Sequence, residues 1–145
     1  MKVRNNAGFS LVEILVVLVI MGLLISVVAP TVLNRADDAR VQKAQADFKA
    51  IETALKIYRL DNYVYPTTEQ GLEALVTAST LEPEPRNFKE GGYLEEVPVD
   101  PWGRPYLFMS PGEHGEVDIY TLGADGLSGG EDQSADIGNW KETEE

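Results

Sequence analysis

The sequence predicts an α+β fold in which one long N-terminal helix packs against a small antiparallel sheet. Residues 9–29 form an almost uninterrupted apolar run. An apolar stripe with steps of three and four residues follows between Val41 and Tyr58, as on one face of a helix. Residues 106–110 and 117–122 are aromatic and aliphatic and flank a turn-rich stretch, which is typical of a β-hairpin.

The apolar run of residues 9–29 has the length of a membrane-crossing helix, since about 20 residues span a hydrocarbon core of about 30 Å. Lys2 and Arg4 precede the run and no acidic residue does, so the positive-inside rule leaves residues 1–8 in the cytoplasm. Glu13 lies inside the run, where a carboxylate costs about 2.5–3.5 kcal/mol on insertion scales. An acid at this depth indicates a function and requires a partner.

Two ordinary interpretations of this segment remain open on the residues alone. A secretory signal peptide also has a basic start, but its apolar centre is usually only about 7–15 residues long. A plain anchor helix would let Glu13 reach the headgroup region of the bilayer.

The apolar stripe of the second pattern consists of residues on one helical face, namely Val41, Ala44, Phe48, Ile51, Leu55 and Tyr58. Together with the apolar run it predicts one helix over residues 9–60, about 75 Å long at 1.5 Å per residue. Pro30 lacks the N–H that would bond the Ser26 carbonyl, so we expect a kink there. Residues 69–76 are predicted to form a second helix, which Thr67 and Gln70 begin at capping-box spacing.

Composition limits the classes of function. The chain has 145 residues and a formal net charge of −12, which argues against a nucleic-acid partner and suits hard cations such as Ca²⁺. It contains no cysteine, so disulfides cannot close its small core, and a structural metal is one substitute.

The stretch of residues 122–140 concentrates acids, hydroxyls and glycines. Carboxylate, carbonyl and hydroxyl oxygens are the ligands that Ca²⁺ takes, about 6–8 of them. The spacing from Asp125 onward does not fit an EF-hand. The residues therefore leave two interpretations open. One is a flexible solvated loop. The other is a cation site, with Ile137 and Trp140 fixing the far end of the loop to the core.

The inventory of reactive residues argues against an enzyme. His114 is the single histidine, and its place in a turn-rich stretch predicts a solvated side chain. Glu95 and Glu96 are predicted to form a solvated patch. No cysteine is available as a nucleophile or zinc ligand.

The N-terminal motif Gly8-Phe9-Ser10-Leu11-Val12-Glu13, with its basic leader and apolar run, resembles the class III signal of type IV pilins and pseudopilins. The resemblance implies that a prepilin peptidase cuts after Gly8 and methylates the new N-terminus at Phe9. It implies that Glu13 meets the N-terminal amine of a neighbouring subunit, because a buried charge is tolerated when paired. It also implies that residues 22–30 loosen during assembly, whereas the plain alternative is that Pro30 marks the membrane exit.

Three further motifs are similar to those of the major pseudopilins of bacterial type II secretion, and the match extends over almost the whole chain. They are YPTTEQGLEAL at residues 65–75, DPWGRPY at residues 100–106, and LGADG at residues 122–126 with DIGNW at residues 136–140. This family has a type IV pilin-like fold and a C-terminal loop that binds a structural Ca²⁺. Carried over by position, the ligands would be the carbonyls of Leu122 and Leu127, the carboxylates of Asp125 and Asp136, and a side-chain oxygen between Asp132 and Ser134, for which we favour Ser134.

The resemblance implies a structural subunit and not an enzyme. Residues 1–8 would be the leader, 9–30 the transmembrane and filament-core helix, 31–140 the periplasmic domain, and 141–145 a flexible tail. The subunit would lie in the bacterial inner membrane as a single-pass protein with its C-terminal domain in the periplasm. It would then polymerise into a pseudopilus that drives folded proteins across the outer membrane.

The implied partners are other copies of the chain, minor pseudopilins, the prepilin peptidase, an inner-membrane assembly platform and a secretion ATPase. Two alternatives remain at this point. One is a type IV pilin for adhesion or motility, although such pilins usually have a C-terminal cysteine pair that this chain lacks. The other is a membrane-anchored, Ca²⁺-dependent periplasmic binding protein.

Overall fold

The structure, a computed structural model, describes residues 9–140, and within them the side chains of all residues except 27–34 and 133. The predicted leader with its cleavage site at Gly8 and the predicted tail of residues 141–145 lie outside the described residues. Helix α1 extends over Leu11–Asn62. Two short 3₁₀ helices, Leu72–Leu75 and Asp132–Ser134, and three strands follow: β1 (Leu107–Met109), β2 (Asp118–Thr121) and β3 (Ile137–Gly138). The predicted α+β class is confirmed.

The backbone of α1 stays helical through Pro30, as the two apolar patterns predict. The expected kink there stays a prediction. By the density of its internal contacts the chain divides into two compact units, Met1–Asp38 and Ala39–Glu145.

The described part of the first unit exposes large apolar side chains. The exposed fraction is 78% for Leu11, 61% for Val19 and 62% for Leu24, and every side chain described between residues 9 and 26 is exposed. Within the part of the chain that the structure describes, no helix is long and apolar enough to span a membrane.

The core of the second unit lies along the apolar stripe of α1. Ala44, Phe48, Ile51, Leu55 and Tyr58 are all buried, and Val41 at the start of the stripe is half-buried. Their core partners from the rest of the unit are buried side chains of the first 3₁₀ helix and of the sheet region, namely Leu72, Leu75, Tyr106, Val117 and Ile119. The stripe is therefore ordinary core, as predicted.

The sheet is antiparallel throughout, with the order β1-β2-β3. Phe108 of β1 lies opposite Ile119 of β2, and Thr121 of β2 lies opposite Ile137 of β3. The hairpin of β1 and β2 agrees with the prediction, whereas β3 was not foreseen. Because β3 contains two residues, it is too short to produce an alternating sequence pattern.

Three local predictions have different outcomes. The capping box is confirmed, since Thr67 N donates to Gln70 Oε1 at 2.9 Å and Gln70 N donates to Thr67 Oγ1 at 3.2 Å. These bonds close a turn, and the helix that follows is shorter and tighter than expected, a 3₁₀ helix over Leu72–Leu75 whose N-cap Gly71 has no side-chain cap hydrogen bond. The sequence Asp-Pro-Trp-Gly at residues 100–103 has the composition of a tight turn and predicts that Trp102 fills the core beneath it. The side chain is only half-buried, so this prediction is wrong.

Candidate functional site

The loop between β2 and β3 contains the predicted cation ligands. It begins with a tight turn in which Gly126 N donates to the Leu122 carbonyl at 3.2 Å. The Asp125 carboxylate accepts from Leu127 N at 3.0 Å. Gly126 has φ +71°, a conformation that glycine adopts without steric cost. This turn brings the three predicted ligands of the first half of the loop into one short segment.

Asp136, the predicted ligand at the far end of the loop, faces the middle of the same loop. Its Oδ2 accepts from Gly129 N at 3.0 Å and from Ser128 Oγ at 3.3 Å. Its Oδ1 is buried and has no hydrogen-bond partner among the described atoms. A buried carboxylate oxygen without a partner is unfavourable, and a hard cation is a partner that suits it.

Ser134, the predicted fifth ligand, lies in the 3₁₀ helix Asp132–Ser134. Its carbonyl lies directly against Gly130, where a Cβ would collide with it. Within residues 9–140 no three acidic, histidine or cysteine side chains cluster as metal ligands. A cation here would therefore depend on carbonyl and hydroxyl oxygens beside two carboxylates, which is the composition of the predicted ligand set.

Hydrogen bonds to the buried carboxylate of Asp100 fix the start of this loop, and we call this arrangement the Asp100 clamp. Asp100 accepts hydrogen bonds from Trp102 N at 2.9 Å, from Arg104 N at 2.8 Å and from Thr121 Oγ1 at 2.5 Å. Thr121 is the last residue of β2. The Asp100 turn is thereby tied to the strand from which the loop departs.

Arg104 extends the clamp into the loop itself. Its Nε lies 3.5 Å from Asp100 Oδ2, and its guanidinium donates to the carbonyl of Gly123. The guanidinium also lies against Gly126, where a Cβ would collide with it. Sequence reasoning missed this role, although the DPWGRPY motif placed the residue beside a conspicuous turn.

The clamp lowers the pKa of Asp100. Burial alone raises this pKa, but the hydrogen bonds from Thr121 and from the Arg104 and Trp102 amides, with the charge of Arg104, outweigh the burial. The net pKa lies below its usual value, so the ionised carboxylate stabilises the folded state.

The far end of the loop is fixed by its last residues. Ile137 packs against the core, as expected, whereas Trp140 is not among the core residues and the hydrogen bonds come from Asn139, for which this role was not predicted. Asn139 Oδ1 accepts from Ile119 N at 3.1 Å, and its Nδ2 donates to Glu52 Oε1 at 2.9 Å. Trp140 stacks on His114 with ring centroids 4.0 Å apart. His114 is exposed, as predicted, and its Nδ1 also lies 3.0 Å from Asp118 Oδ2. This contact orders a turn, and the histidine has no nucleophile among its described contacts.

The N-terminal site lies at the start of α1. Glu13 is in the first turn of the helix, where the positive end of the helix dipole favours a carboxylate. Ser10 Oγ accepts from Val12 N at 3.3 Å, which satisfies one of the free amides of this helix end. Phe9 is 80% exposed, and Glu13 is exposed as well. Gly8 is outside the described residues.

Comparison with known proteins gives matches along the chain. The family model described as type II secretion system (T2SS), protein G, matches residues 31–140. The model described as prokaryotic N-terminal methylation motif matches residues 3–29.

Two curated relatives are similar over nearly the whole chain, and both are named type II secretion system core protein G. The Pseudomonas aeruginosa protein is 54% identical over 97% of this chain and 99% of its own length. The Vibrio cholerae protein is 56% identical over 96% of this chain and 94% of its own length. A crystal structure of the major pseudopilin from the type 2 secretion system of enterohaemorrhagic Escherichia coli is 48% identical, with a TM-score of 0.67, over 74% of this chain and 92% of that chain.

The Asp100 clamp leads to a prediction about acid stability. Since the folded pKa of Asp100 is lowered, its contribution to stability is present above the unfolded value near pH 4 and is lost as the pH falls below it. Asp100→Asn is expected to lower the free energy of unfolding by about 1.5–3 kcal/mol at pH 7. The difference from wild type should shrink toward pH 3.

Urea unfolding of the detergent-solubilised full chain at pH 7 and pH 3 measures this difference. Glu69→Gln, which changes an exposed acid, is the matched control and should leave stability within about 0.5 kcal/mol of wild type. An Asp100→Asn deficit that is equally large at both pH values would contradict the assignment.

Proposed function

Because this chain belongs to the type II secretion system protein G family, we propose that its two sites serve filament assembly. The N-terminal helix forms the filament core. A cation bound by the C-terminal loop stabilises the folded domain. The chain is a structural subunit of the type II secretion pseudopilus. The family match over residues 31–140 favours this function over the type IV pilin and binding-protein alternatives. No catalytic role is included in the proposal.

The observation that supports the filament core most strongly is the exposure of the first half of α1. Residues 11–25 present Leu, Val, Ile and Met side chains that are at least 46% exposed. Burying apolar surface releases about 25 cal/mol per Å², so this helix gains free energy by entering a bilayer or by packing against other copies. The same apolar surface of α1 therefore contacts lipid in the membrane-bound subunit and other copies of α1 in the assembled fibre.

Because the same surface of α1 suits a bilayer and a fibre, the proposal includes a membrane-bound state before assembly. The subunit is held in the inner membrane as a single-pass protein with residues 31–140 in the periplasm, after cleavage behind Gly8 and methylation at Phe9. Other copies, minor pseudopilins, the assembly platform and the secretion ATPase are its proposed partners. Growth of the fibre drives the export of folded proteins.

Glu13 has the role of setting the register between subunits in this proposal. A carboxylate that moves with α1 into an apolar environment needs an opposite charge. The amine of Phe9 from a neighbouring copy supplies that charge. Pairing at one point along otherwise interchangeable apolar helices fixes how far each subunit advances.

The C-terminal loop is proposed to hold Ca²⁺. The carbonyls of Leu122 and Leu127, the carboxylates of Asp125 and Asp136, and the Ser134 hydroxyl are the proposed ligands. The partnerless Oδ1 of Asp136 supports this assignment. When bound, the ion supplies positive charge that links the two carboxylates, and it replaces the cross-link that a chain without cysteine cannot form.

One prediction of the proposed function concerns Glu13. Glu13→Gln keeps the shape of the side chain and removes its charge, which leaves the neighbouring amine unpaired. Loss of one partner of a buried pair costs about 3–5 kcal/mol, so the yield of sheared, sedimentable fibre should fall by about 100-fold or more. Glu69→Gln is the control and should assemble like wild type. Normal fibre yield from Glu13→Gln would contradict the pairing.

Another prediction of the proposed function concerns the cation. With free Ca²⁺ about 100-fold above its dissociation constant, the free energy of unfolding should rise by about 2.7 kcal/mol, and a chelator should lower the melting temperature accordingly. Asp136→Asn should melt at the same temperature with Ca²⁺ and with chelator. Glu131→Gln, an exposed acid outside the proposed ligand set, should keep the response. A wild-type melting temperature that is the same with Ca²⁺ and with chelator would refute the site.

A further inference from the structure

A groove with exposed apolar walls lies at the C-terminal end of α1, within the second unit. Lys56, Arg59, Leu60, Tyr63 and Tyr65 line a surface cavity of about 440 Å³. Leu60 is 76% exposed and Tyr63 is 72% exposed. We call these five residues the α1-end groove. Neighbouring exposed apolar side chains that belong to the same chain segment are Ile57 and Val64.

Tyr63 has a backbone conformation that its side chain does not favour. Its φ is +68°, in the left-handed region that glycine usually occupies just after a helix. Its N–H donates to the Arg59 carbonyl at 2.7 Å, so this conformation closes the helix. The ring is nevertheless mostly exposed, so packing within its own chain offsets little of the free-energy cost of this backbone conformation. Strained residues of this kind concentrate where a surface is used.

The charge of the α1-end groove is opposite to that of the chain. Lys56 and Arg59 lie on its wall, whereas the chain has a formal net charge of −12. Arg59 is held in place by Glu116 at 2.7 Å and by the ring of Tyr65, whose centroid lies 4.9 Å from the guanidinium carbon. Because Glu116 balances the charge of Arg59, Lys56 provides the positive charge of the groove. The groove therefore suits an apolar ligand that carries an acid near Lys56.

The chain itself contains a segment with that chemistry. Residues 81–84 read Leu-Glu-Pro-Glu and are exposed, with Leu81 48% exposed. The buried Gln70 donates from its Nε2 to the carbonyls of Leu81 at 2.7 Å and of Pro83 at 3.0 Å. The segment is thus held in one shape while its side chains face solvent, which reduces the entropy lost on docking.

We propose that residues 81–84 of one copy dock into the α1-end groove of the next copy, and this inference rests on the proposed function as a filament subunit. Leu81 contacts Leu60, Pro83 packs on the tyrosine rings as proline segments do in aromatic grooves, and Glu84 approaches Lys56. Residues 81–84 do not line the groove of their own chain. Two different patches that meet in this way form a heterologous contact, which repeats into a helical fibre.

Disulfide cross-linking tests this contact on the full chain, expressed with the other components of its secretion system. The chain has no native cysteine, so a variant with Leu60→Cys and Leu81→Cys offers only the introduced thiols. Oxidation of sheared fibres with copper phenanthroline is expected to produce a ladder of covalent multimers. The two single-cysteine variants are the matched controls and should stay monomeric.

Charge reversal provides a second measurement. Lys56→Glu alone and Glu84→Lys alone should each reduce sedimentable fibre about tenfold, because like charges then meet in the contact. The combination of both changes should restore most of the yield. Glu90→Lys, an exposed acid outside the docking segment, should assemble like wild type. Unchanged melting temperatures of the variants exclude a folding defect.

The outcomes separate this inference from the proposed function. A ladder together with rescue by the double charge change supports the contact. Fibres of normal yield without a ladder overturn the contact and leave the proposed function intact. Dimers from Leu60→Cys alone also overturn it, because they indicate that two α1-end grooves face each other. Failure of the wild-type chain to form any fibre overturns both.

Discussion

Burial of apolar side chains along α1 is the constraint on which the rest of the structure depends. In the second unit a single stripe from Ala44 to Tyr58 is buried, and the sheet and the first 3₁₀ helix pack against it. Between residues 11 and 25 the helix is apolar on all sides except at Glu13, and large side chains such as Leu11 and Leu24 are exposed. The first arrangement completes a domain, whereas the second leaves apolar surface exposed, which the proposed bilayer or fibre would cover.

The acidic domain meets a different constraint, because it must close a small core without cysteine. The Asp100 clamp ties a turn to the end of β2, and Arg104 extends it to the Gly123 carbonyl. Asn139 fixes the other end of the loop to α1 through Glu52. The loop is thus held at both ends. The Asp136 carboxylate faces the middle of the loop, and one of its oxygens has no hydrogen-bond partner among the described atoms. A cation at that point is the element that the proposed closure still requires.

Features with a local sequence signature could be predicted. The helical stripe, the hairpin of β1 and β2 and the Thr67–Gln70 capping box each follow from spacing within a few residues. Features that depend on distant partners could not. Arg104 reaches Gly123 and His114 stacks on Trp140, and neither contact produces a periodic pattern. Trp102 was placed wrongly because turn composition does not indicate which side of the turn its ring occupies.

The position of α1 within the assembled fibre tests the central claim most directly. Electron cryomicroscopy of sheared fibres gives this position at the level of individual helices. The account predicts that residues 11–26 of successive copies pack along the fibre axis, with Glu13 beside the first residue of a neighbour and the acidic domains outside. A fibre built from the globular domains alone, with the apolar turns of α1 on its surface, would contradict the account.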